Sequence, residues 1–292
     1  MKNQNKSYIY GLVAVLLWST VATAFKINLM YFDVLNMLFY SSFFSSLVLL
    51  VLIIFQRKLN LLFSVNNQDL SKSLLYGFLN PFLYYLVLFK AYSLLPAQIA
   101  QPLNYSWVIV VSILSIIFLK QKIGFKNFAG LIISFCGIIL ISNRYHSDTS
   151  NDVSIIGVFL AIVSSLIWGA YWIFNIKDNR DIIIKLFLNF MFGTIFACSL
   201  LFIFGNINFD FKGILSSVYI GMFEMGLTFF VWFKALSLSD NTAKIGNIIY
   251  LSPLLSFLFI DLVLQEKILI TSIFGLLLII AGVIVQQIKS KA

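Results

Sequence analysis

Long apolar segments without charges recur along the whole chain, and they restrict its fold more than any other feature. Of its 292 residues, 61% are hydrophobic and only 11% are charged, whereas an ordinary soluble domain is about one quarter charged. The hydrocarbon core of a bilayer is about 30 Å thick, and a helix needs about 20 apolar residues to cross it. The chain supplies such segments repeatedly, and they lack the alternation of porin strands. The sequence therefore predicts an all-α polytopic membrane protein.

Hydropathy predicts ten transmembrane helices. The predicted spans are 8–27, 34–55, 73–93, 98–119, 125–142, 154–176, 182–205, 213–236, 242–264 and 268–288. The first follows a charged leader, but its apolar run is long enough to span a bilayer, so we interpret it as a helix and not as a cleaved signal peptide. If the N-terminus is cytoplasmic, only five of the 20 Lys and Arg residues lie outside: Lys26, Lys90, Arg144, Lys212 and Lys267. This positive-inside bias predicts that both termini lie in the cytoplasm.

The sequence contains an internal repeat. Phe-Lys-Ala occurs at 89–91 and again at 233–235, which is 144 positions later. Gly77 matches Gly221 at the same offset, and after one inserted residue the match continues through the glycines of the fifth and tenth spans. The repetition indicates a duplicated unit.

The duplication divides the chain into two halves, 1–142 and 154–292, joined by an outer loop at 143–153. Because each half has five spans, an odd number, the second half enters the membrane from the opposite side. Inverted repeats are characteristic of secondary transporters, in which the substrate site lies near the midplane between the halves. We therefore expect two inverted five-helix repeats in a carrier that works by alternating access.

Polar side chains within the spans indicate where a substrate would bind. Glu224 is the only acid deep within a predicted span, and Thr228 lies on the same helix face. The repeat gives Asn80 the equivalent position in the third span, with Tyr84 one turn later. Such groups usually face the bundle interior or a cavity. Because low dielectric disfavours the charged carboxylate, Glu224 would bind a proton and a substrate amine in turn; the alternative is a structural glutamate that joins helices.

Aromatic and amide side chains in the first, fourth, sixth and ninth spans are further candidates for the substrate site. They are Trp18, Gln101, Tyr105, Trp168, Trp172, Asn247 and Tyr250. The tryptophans lie at mid-span depth, although most aromatic residues of membrane proteins pack against neighbours or form interfacial belts. We interpret the glycines seven residues apart in the fifth and tenth spans as helix-packing positions, with dimerisation as the alternative. Glu266, between the ninth and tenth spans, is interpreted as a helix-capping or hinge residue.

Other functional classes lack their sequence signatures. The chain has no G-x-x-x-x-G-K-[ST] nucleotide loop, no His or Cys cluster with metal-ligand spacing, and no pair of acids of protease type within the membrane. Cys136 and Cys198 are interpreted as buried apolar side chains. We expect no cofactor, no enzymatic activity and no nucleic-acid partner. The net charge of +9 is explained by its concentration on the cytoplasmic side.

A resemblance to a known family is carried by the segments "LLWS", "LIWGAYW", "FKALSL", "LSPLLSFL" and "FGLLLIIAGVIV". They resemble the EamA family of the drug/metabolite transporter superfamily over the whole chain, most clearly in its second half. In the first half, Gln121 stands where the second half has Glu266. The resemblance implies a ten-helix metabolite carrier of the bacterial cytoplasmic membrane, which would export amino acids or related compounds. An importer of a nucleotide-like or cofactor-like metabolite is the alternative, and proton coupling and the choice between monomer and homodimer stay open.

Overall fold

The computed structural model describes residues 3–119, 125–142, 153–176, 178–239, 248–249 and 251–287. Within these ranges all regular structure is helical. Six helices are long and apolar enough to cross a membrane: Gln4–Asn28, Val34–Phe55, Asn67–Leu94, Ile155–Asn175, Ile182–Phe204 and Phe211–Trp232. Shorter apolar helices cover Ile132–Ile141, Leu251–Leu264 and Ile270–Val285. The protein is therefore an all-helical, multi-pass membrane protein, as the composition predicts.

The helices fall before and after the segment at 143–152. The earlier ones are α1 (Gln4–Ser19), α2 (Val21–Asn28), α3 (Val34–Phe55), α4 (Leu59–Phe63), α5 (Asn67–Gly77), α6 (Tyr84–Leu94), α7 (Ala97–Asn104), α8 (Trp107–Leu119) and α9 (Phe125–Ser142). The later ones are α10 (Ile155–Ile176), α11 (Ile182–Phe204), α12 (Phe211–Ile220), α13 (Leu227–Leu238), α14 (Leu251–Leu264) and α15 (Ile270–Gln287). Two π-helical turns, π1 (Phe78–Leu83) and π2 (Gly221–Gly226), join α5 to α6 and α12 to α13.

Local breaks divide several of the predicted spans. In π1, Asn80 is extended (φ −148°, ψ 120°), because a residue that precedes proline avoids the helical region and Pro81 has no N–H to donate. Between α1 and α2, the Thr20 hydroxyl donates to the Leu17 carbonyl at 2.7 Å. These breaks put irregular backbone inside predicted spans, which membranes tolerate only where protein or a cavity surrounds it.

The helices of the earlier part pack against those of the later part in matching pairs. α3 contacts π2, whereas α11 contacts π1; α1 contacts α13, whereas α10 contacts α6. Two further contacts join α3 to α11 and α9 to α15. The buried core therefore lies between the two parts of the chain as well as within each of them.

Glycine allows the closest of these approaches. A Cβ atom at Gly137 on α9 would lie 2.5 Å from the Gly275 carbonyl oxygen on α15, and one at Gly275 would lie 2.8 Å from the Gly137 carbonyl oxygen. Any larger residue would separate the two backbones. The interpretation of these glycines as close-packing positions is confirmed.

Candidate substrate-binding site

A small cavity lies where the two parts of the chain meet. Its walls come from α1, α2, α6, α7 and α8 on one side and from α10, π2 and α13 on the other. Its volume is about 80 Å³, which is enough for several water molecules because each needs roughly 10–15 Å³ of such space. Most of the lining side chains are aromatic or carry an amide or a carboxyl group.

Glu224 supplies the carboxyl group of this cavity. It lies in π2, where the turn is wider than in an α-helix, and such turns frequently occur at functional sites. The Tyr85 hydroxyl donates to Glu224 Oε1 at 3.0 Å, and Trp18 Nε1 lies 3.5 Å from the Glu224 carbonyl oxygen. The carboxyl group has one hydrogen-bonded oxygen and borders the cavity, so it is positioned to meet a ligand.

Aromatic rings from both parts of the chain form the walls. The Trp168 ring on α10 lies 4.9 Å from the Tyr84 ring on α6, measured between centroids, and 5.7 Å from the Phe229 ring on α13. Trp18 on α1 lies 5.6 Å from Phe229. The negative faces of aromatic rings attract cations, so these walls suit a ligand that carries an amine.

The amide groups of α7 complete the polar part of the site. Both amide atoms of Asn104 are hydrogen-bonded: its Oδ1 accepts from the Tyr84 hydroxyl at 3.2 Å and its Nδ2 donates to Ser164 Oγ at 2.9 Å. Gln101 is 4% exposed, and its Oε1 has no hydrogen-bond partner among the described residues. A buried amide oxygen without a partner is costly, so Gln101 is suited to accept a hydrogen bond from a ligand. Tyr105 lies beside it in the lining.

The structure brings Glu224, Tyr84, Trp18, Trp168, Gln101 and Tyr105 together around one cavity. Three other predicted residues are not part of the cavity lining. Asn80 is buried in π1, the Thr228 hydroxyl donates to the Phe223 carbonyl, and Trp172 packs against Trp107 and Trp168. Asn247 and Tyr250 are outside the described residues.

Several residues that line the cavity were not predicted from the sequence. Phe25 and Tyr92 line the cavity near α7, and Trp107 and Phe229 close other parts of its wall. A signal existed for Phe25, since it lies seven residues after Trp18 and hence on the same helix face. Nothing in the sequence pattern distinguishes Phe229 from the other phenylalanines of its span.

Two opposite charges hold the link between α6 and α7 next to the cavity. Lys26 Nζ donates to the carbonyl oxygens of Tyr92 and Leu95, at 3.0 and 3.1 Å. The Glu266 carboxylate accepts from the N–H groups of Ala97 and Gln98, at 3.1 and 3.3 Å. A cation thus meets the end of α6 and an anion meets the start of α7, which is the arrangement that helix dipoles favour. We call these contacts the Lys26–Glu266 clamp, and they confirm the predicted capping role of Glu266.

An ion pair orders the segment 178–181 between α10 and α11. Arg180 Nη2 lies 2.6 Å from Asp178 Oδ2, and their side chains are only 12% and 3% exposed. Arg180 Nη1 donates to the Asp69 carbonyl and to Ser73 Oγ, both at 2.8 Å. Burial of the Asp178 carboxyl opposes ionisation, but the hydrogen bonds and charge of Arg180 outweigh it and lower the pKa of Asp178 below its ordinary value.

The site contains no arrangement that would hold a metal among the residues described: no three His, Cys, Asp or Glu side chains there come close enough together. Its chemistry is therefore that of one carboxyl group, amides, hydroxyls and aromatic rings.

Comparison with known proteins identifies the family. The model of the EamA-like transporter family matches the chain twice, over residues 5–143 and 155–286. The chain belongs to the EamA-like transporter family. This confirms the resemblance seen in the sequence, and it identifies the protein as a membrane transporter. Proteins of this family are generally not enzymes.

Several proteins that are 25–26% identical to the chain are also named transporters. The chain is 25% identical to an uncharacterized transporter of Archaeoglobus fulgidus over 98% of both chains. It is 25% identical to the uncharacterized transporter YoaV of Bacillus subtilis over 94% of both chains. It is 26% identical to the uncharacterized transporter YvbV of the same organism, over 68% of this chain and 65% of YvbV. A solved crystal structure with 18% identity matches 98% of the chain with a TM-score of 0.66, which supports the fold alone.

Proposed function

We propose that this EamA-like protein is a secondary carrier that exports an amino acid or a related small zwitterionic metabolite across the bacterial cytoplasmic membrane by alternating access. In this account ten transmembrane helices form two inverted five-helix repeats, 1–142 and 154–292, and both termini are cytoplasmic. The single observation that carries the proposal is the Glu224 carboxyl group, which borders an aromatic cavity between the two parts.

The matching contacts of the two parts support the inverted repeats. The family model matches each part separately. The π1 and π2 turns occupy corresponding places, each between two helices of one span. α3 of the earlier part contacts π2 of the later part, and α11 of the later part contacts π1 of the earlier part. A twofold axis that relates the two parts would convert one of these contacts into the other. Such a relation makes two states, one open to each side of the membrane, close in energy.

The substrate class follows from the lining of the cavity. A substrate amine would bind the ionised Glu224 carboxylate and lie against the faces of Trp18 and Trp168. The Gln101 side-chain carbonyl oxygen, which has no partner within the described ranges, would accept a second hydrogen bond from the same substrate. When Glu224 takes up a proton the amine loses its partner, so proton binding and substrate binding compete at one group. This competition would couple the movement of protons to the movement of substrate across the membrane.

The charge of the site weighs against the alternative, an importer of a nucleotide-like or cofactor-like metabolite. Phosphate groups in proteins are bound mainly by Arg and Lys. Among the described residues that line the cavity there is no Lys, Arg or His, and the carboxyl group of Glu224 would repel an anion. The aromatic walls suit a nucleobase as well as an aromatic amino acid, so the charge is what separates the two candidates.

The Lys26–Glu266 clamp gives alternating access a physical basis. Tyr92 and Phe25 line the cavity. In the clamp, Lys26, which follows Phe25 in the chain, donates a hydrogen bond to the Tyr92 carbonyl. The clamp therefore fixes the cavity wall on the predicted outer side. Opening to that side requires these four hydrogen bonds to break.

Transport measurements test the proposal. Metabolite levels inside and outside cells that contain or lack the protein would identify candidate substrates, with export indicated by accumulation outside. The purified protein in liposomes would then be tested for exchange of those candidates, with nucleotides as a second set. We expect exchange of a metabolite with an amine group. Exchange restricted to nucleotides or other phosphorylated compounds would favour the alternative, and exchange of neither set would contradict the proposal.

A further inference from the structure

A second cavity opens on the side of the helix bundle, away from Glu224. Its volume is about 450 Å³, and it lies between α2, α12 and α14. Its walls are largely apolar, and they include Ile27, Leu215, Phe259 and Val263. Leu215 and Val263 are 59% and 53% exposed on the outer surface of the bundle. In a multi-pass membrane protein this surface faces lipid, so the cavity is a groove that acyl chains can reach. We call it the lateral groove.

The charged group of the lateral groove, the Lys212 ammonium, lies at one end. The Lys212 ammonium lies 5.6 Å from the centre of the Tyr31 ring, over its face, and both residues line the groove. Lys212 is the second residue of α12, and from there to Tyr219 the groove extends about 10 Å along the helix at 1.5 Å per residue. At the Tyr219 end the groove ends in a hydrogen bond of 2.7 Å between the hydroxyls of Thr20 and Tyr219.

The buried Thr23 hydroxyl lies within the groove. Thr23 is 5% exposed, lines the groove, and its Oγ1 makes no hydrogen bond to any residue that the structure describes. A ligand with an oxygen acceptor between its charged end and its apolar end would provide that partner. The nearby Asp210 carboxylate already accepts from the Gly213 N–H at 2.8 Å, and it is not among the residues that line the groove.

We propose that the lateral groove binds one anionic phospholipid. The phosphate would bind the Lys212 ammonium at the membrane surface, an ester carbonyl would accept from Thr23, and one acyl chain would lie along the apolar walls. Anionic headgroups are attracted by basic residues at the membrane surface, and the Lys–Tyr pair supplies both a cation and an interfacial aromatic ring. Since α2 lies in the first part of the chain and α12 and α14 in the second, the lipid would bind across the two parts.

A comparison of charged and neutral lipids tests this assignment. The full-length protein would be reconstituted in phosphatidylcholine with or without phosphatidylglycerol, extracted in mild detergent, and analysed by native mass spectrometry for bound lipid. We expect one retained phosphatidylglycerol in the wild type, and Lys212→Gln to reduce its retention about 5-fold, the effect of one basic residue at an anionic surface. Lys90→Gln is the matched control, because Lys90 faces a different cavity that also contains the Asp33 carboxylate.

A second pair of variants tests the apolar part of the groove without changing charge. Leu215 and Leu258 are both 59% exposed, but only Leu215 lines the groove. Leu215→Trp should fill the groove and displace the lipid, whereas Leu258→Trp should leave the lipid bound. The proposal is overturned if the wild type retains phosphatidylcholine as well as phosphatidylglycerol, or if Lys212→Gln and Leu215→Trp both retain phosphatidylglycerol like their controls. A retained molecule without phosphate would also overturn it and would indicate a route for substrate from the bilayer.

Discussion

Ser73 and Ser217 lie 144 positions apart, and each accepts a hydrogen bond from a side chain that lies outside the predicted spans. Arg180 Nη1 donates to Ser73 Oγ at 2.8 Å, and Asn28 Nδ2 donates to Ser217 Oγ at 2.8 Å. The same two donors also bind backbone carbonyls four residues before each serine, which again lie 144 positions apart. The internal repeat with an offset of 144 residues thus has a repeated contact in the structure. The two contacts differ in charge, because one donor is ionised and the other is neutral.

That difference in charge predicts a difference in stability. Arg180→Gln should destabilise the fold by about 3 kcal/mol, because it leaves the Asp178 carboxylate buried without its partner. Asn28→Ala removes neutral hydrogen bonds to Gly213, Ser216 and Ser217; the amide has two N–H groups, so at about 1 kcal/mol per bond the expected loss is about 2 kcal/mol. It is the matched control on the equivalent contact. Thermal unfolding of the purified protein in detergent measures both. Equal losses in the two variants would show that the ion pair contributes no more than the neutral contact.

The pH dependence of this ion pair follows from the lowered pKa of Asp178. Because the folded-state pKa lies below the unfolded value of about 3.9, the contribution of the pair is complete at higher pH and is lost as the pH falls through the folded-state pKa. In Arg180→Gln the side-chain hydrogen bonds and the charge of Arg180 are lost, so the pKa of Asp178 should be lowered less than in the wild type. Acidification should therefore reduce the difference in free energy of unfolding between the wild type and Arg180→Gln. A difference that does not change with pH would contradict this explanation.

The inverted repeat predicts the positions of both termini. Reporters fused at Met1 and Ala292 should both indicate the cytoplasm, and a reporter inserted near Ser150 should indicate the outside. These outcomes follow from the distribution of Lys and Arg between the predicted sides. Termini on opposite sides of the membrane would require an odd number of spans and would exclude the inverted arrangement.

The tryptophans of the cavity should affect substrate affinity. Trp18→Ala and Trp168→Ala are each expected to weaken binding by about 3- to 30-fold, the range of a desolvated cation–π contact. Trp172→Ala is the control, because Trp172 packs against Trp168 without lining the cavity. Exchange in liposomes over a range of substrate concentrations gives the affinities. If all three variants keep the affinity of the wild type, the two lining tryptophans serve packing only.

Breaking the Lys26–Glu266 clamp should favour the state that is open to the predicted outer side. A single cysteine at Ala22, which lines the cavity, would be placed in a chain with Cys136→Ala and Cys198→Ala. Glu266→Gln should then raise the rate of labelling by an impermeant thiol reagent from outside by about 5-fold, since a charge at a helix end contributes about 1 kcal/mol. Asp261→Asn, an exposed acid on α14, is the control. Equal rates in the two variants would contradict a gating role for the clamp.

The sequence predicted the helical fold because each helix is apolar around most of its circumference, and this pattern does not depend on tertiary contacts. It did not predict where helices break. The break at Asn80 has a local signal in Pro81, but π2 contains no proline, and Gly221 at its start lies close against the backbone of α3. Sequence patterns carry no direct record of contacts between distant helices.

The candidate site was predicted in part for the same reason. Glu224 and the tryptophans stand out because charged and large amphipathic side chains are unusual at mid-membrane depth. Asn80 stands out equally in the sequence, yet it is buried outside the cavity lining, in the π1 turn where the backbone before Pro81 is extended and not helical. Position in the repeat gave depth in the membrane but not the direction in which each side chain points.

The competition between proton and substrate at Glu224 is tested most directly by Glu224→Gln, which keeps the size and hydrogen-bonding capacity of the side chain but cannot ionise. The measurement is exchange and net transport of the identified substrate in liposomes across a range of pH, with equal amounts of wild-type and variant protein. We expect Glu224→Gln to reach the membrane at the normal level and to lose either net transport or the pH dependence of the wild type. Transport at the wild-type rate with an unchanged pH profile would contradict the account and would make Glu224 a structural residue bonded to Tyr85.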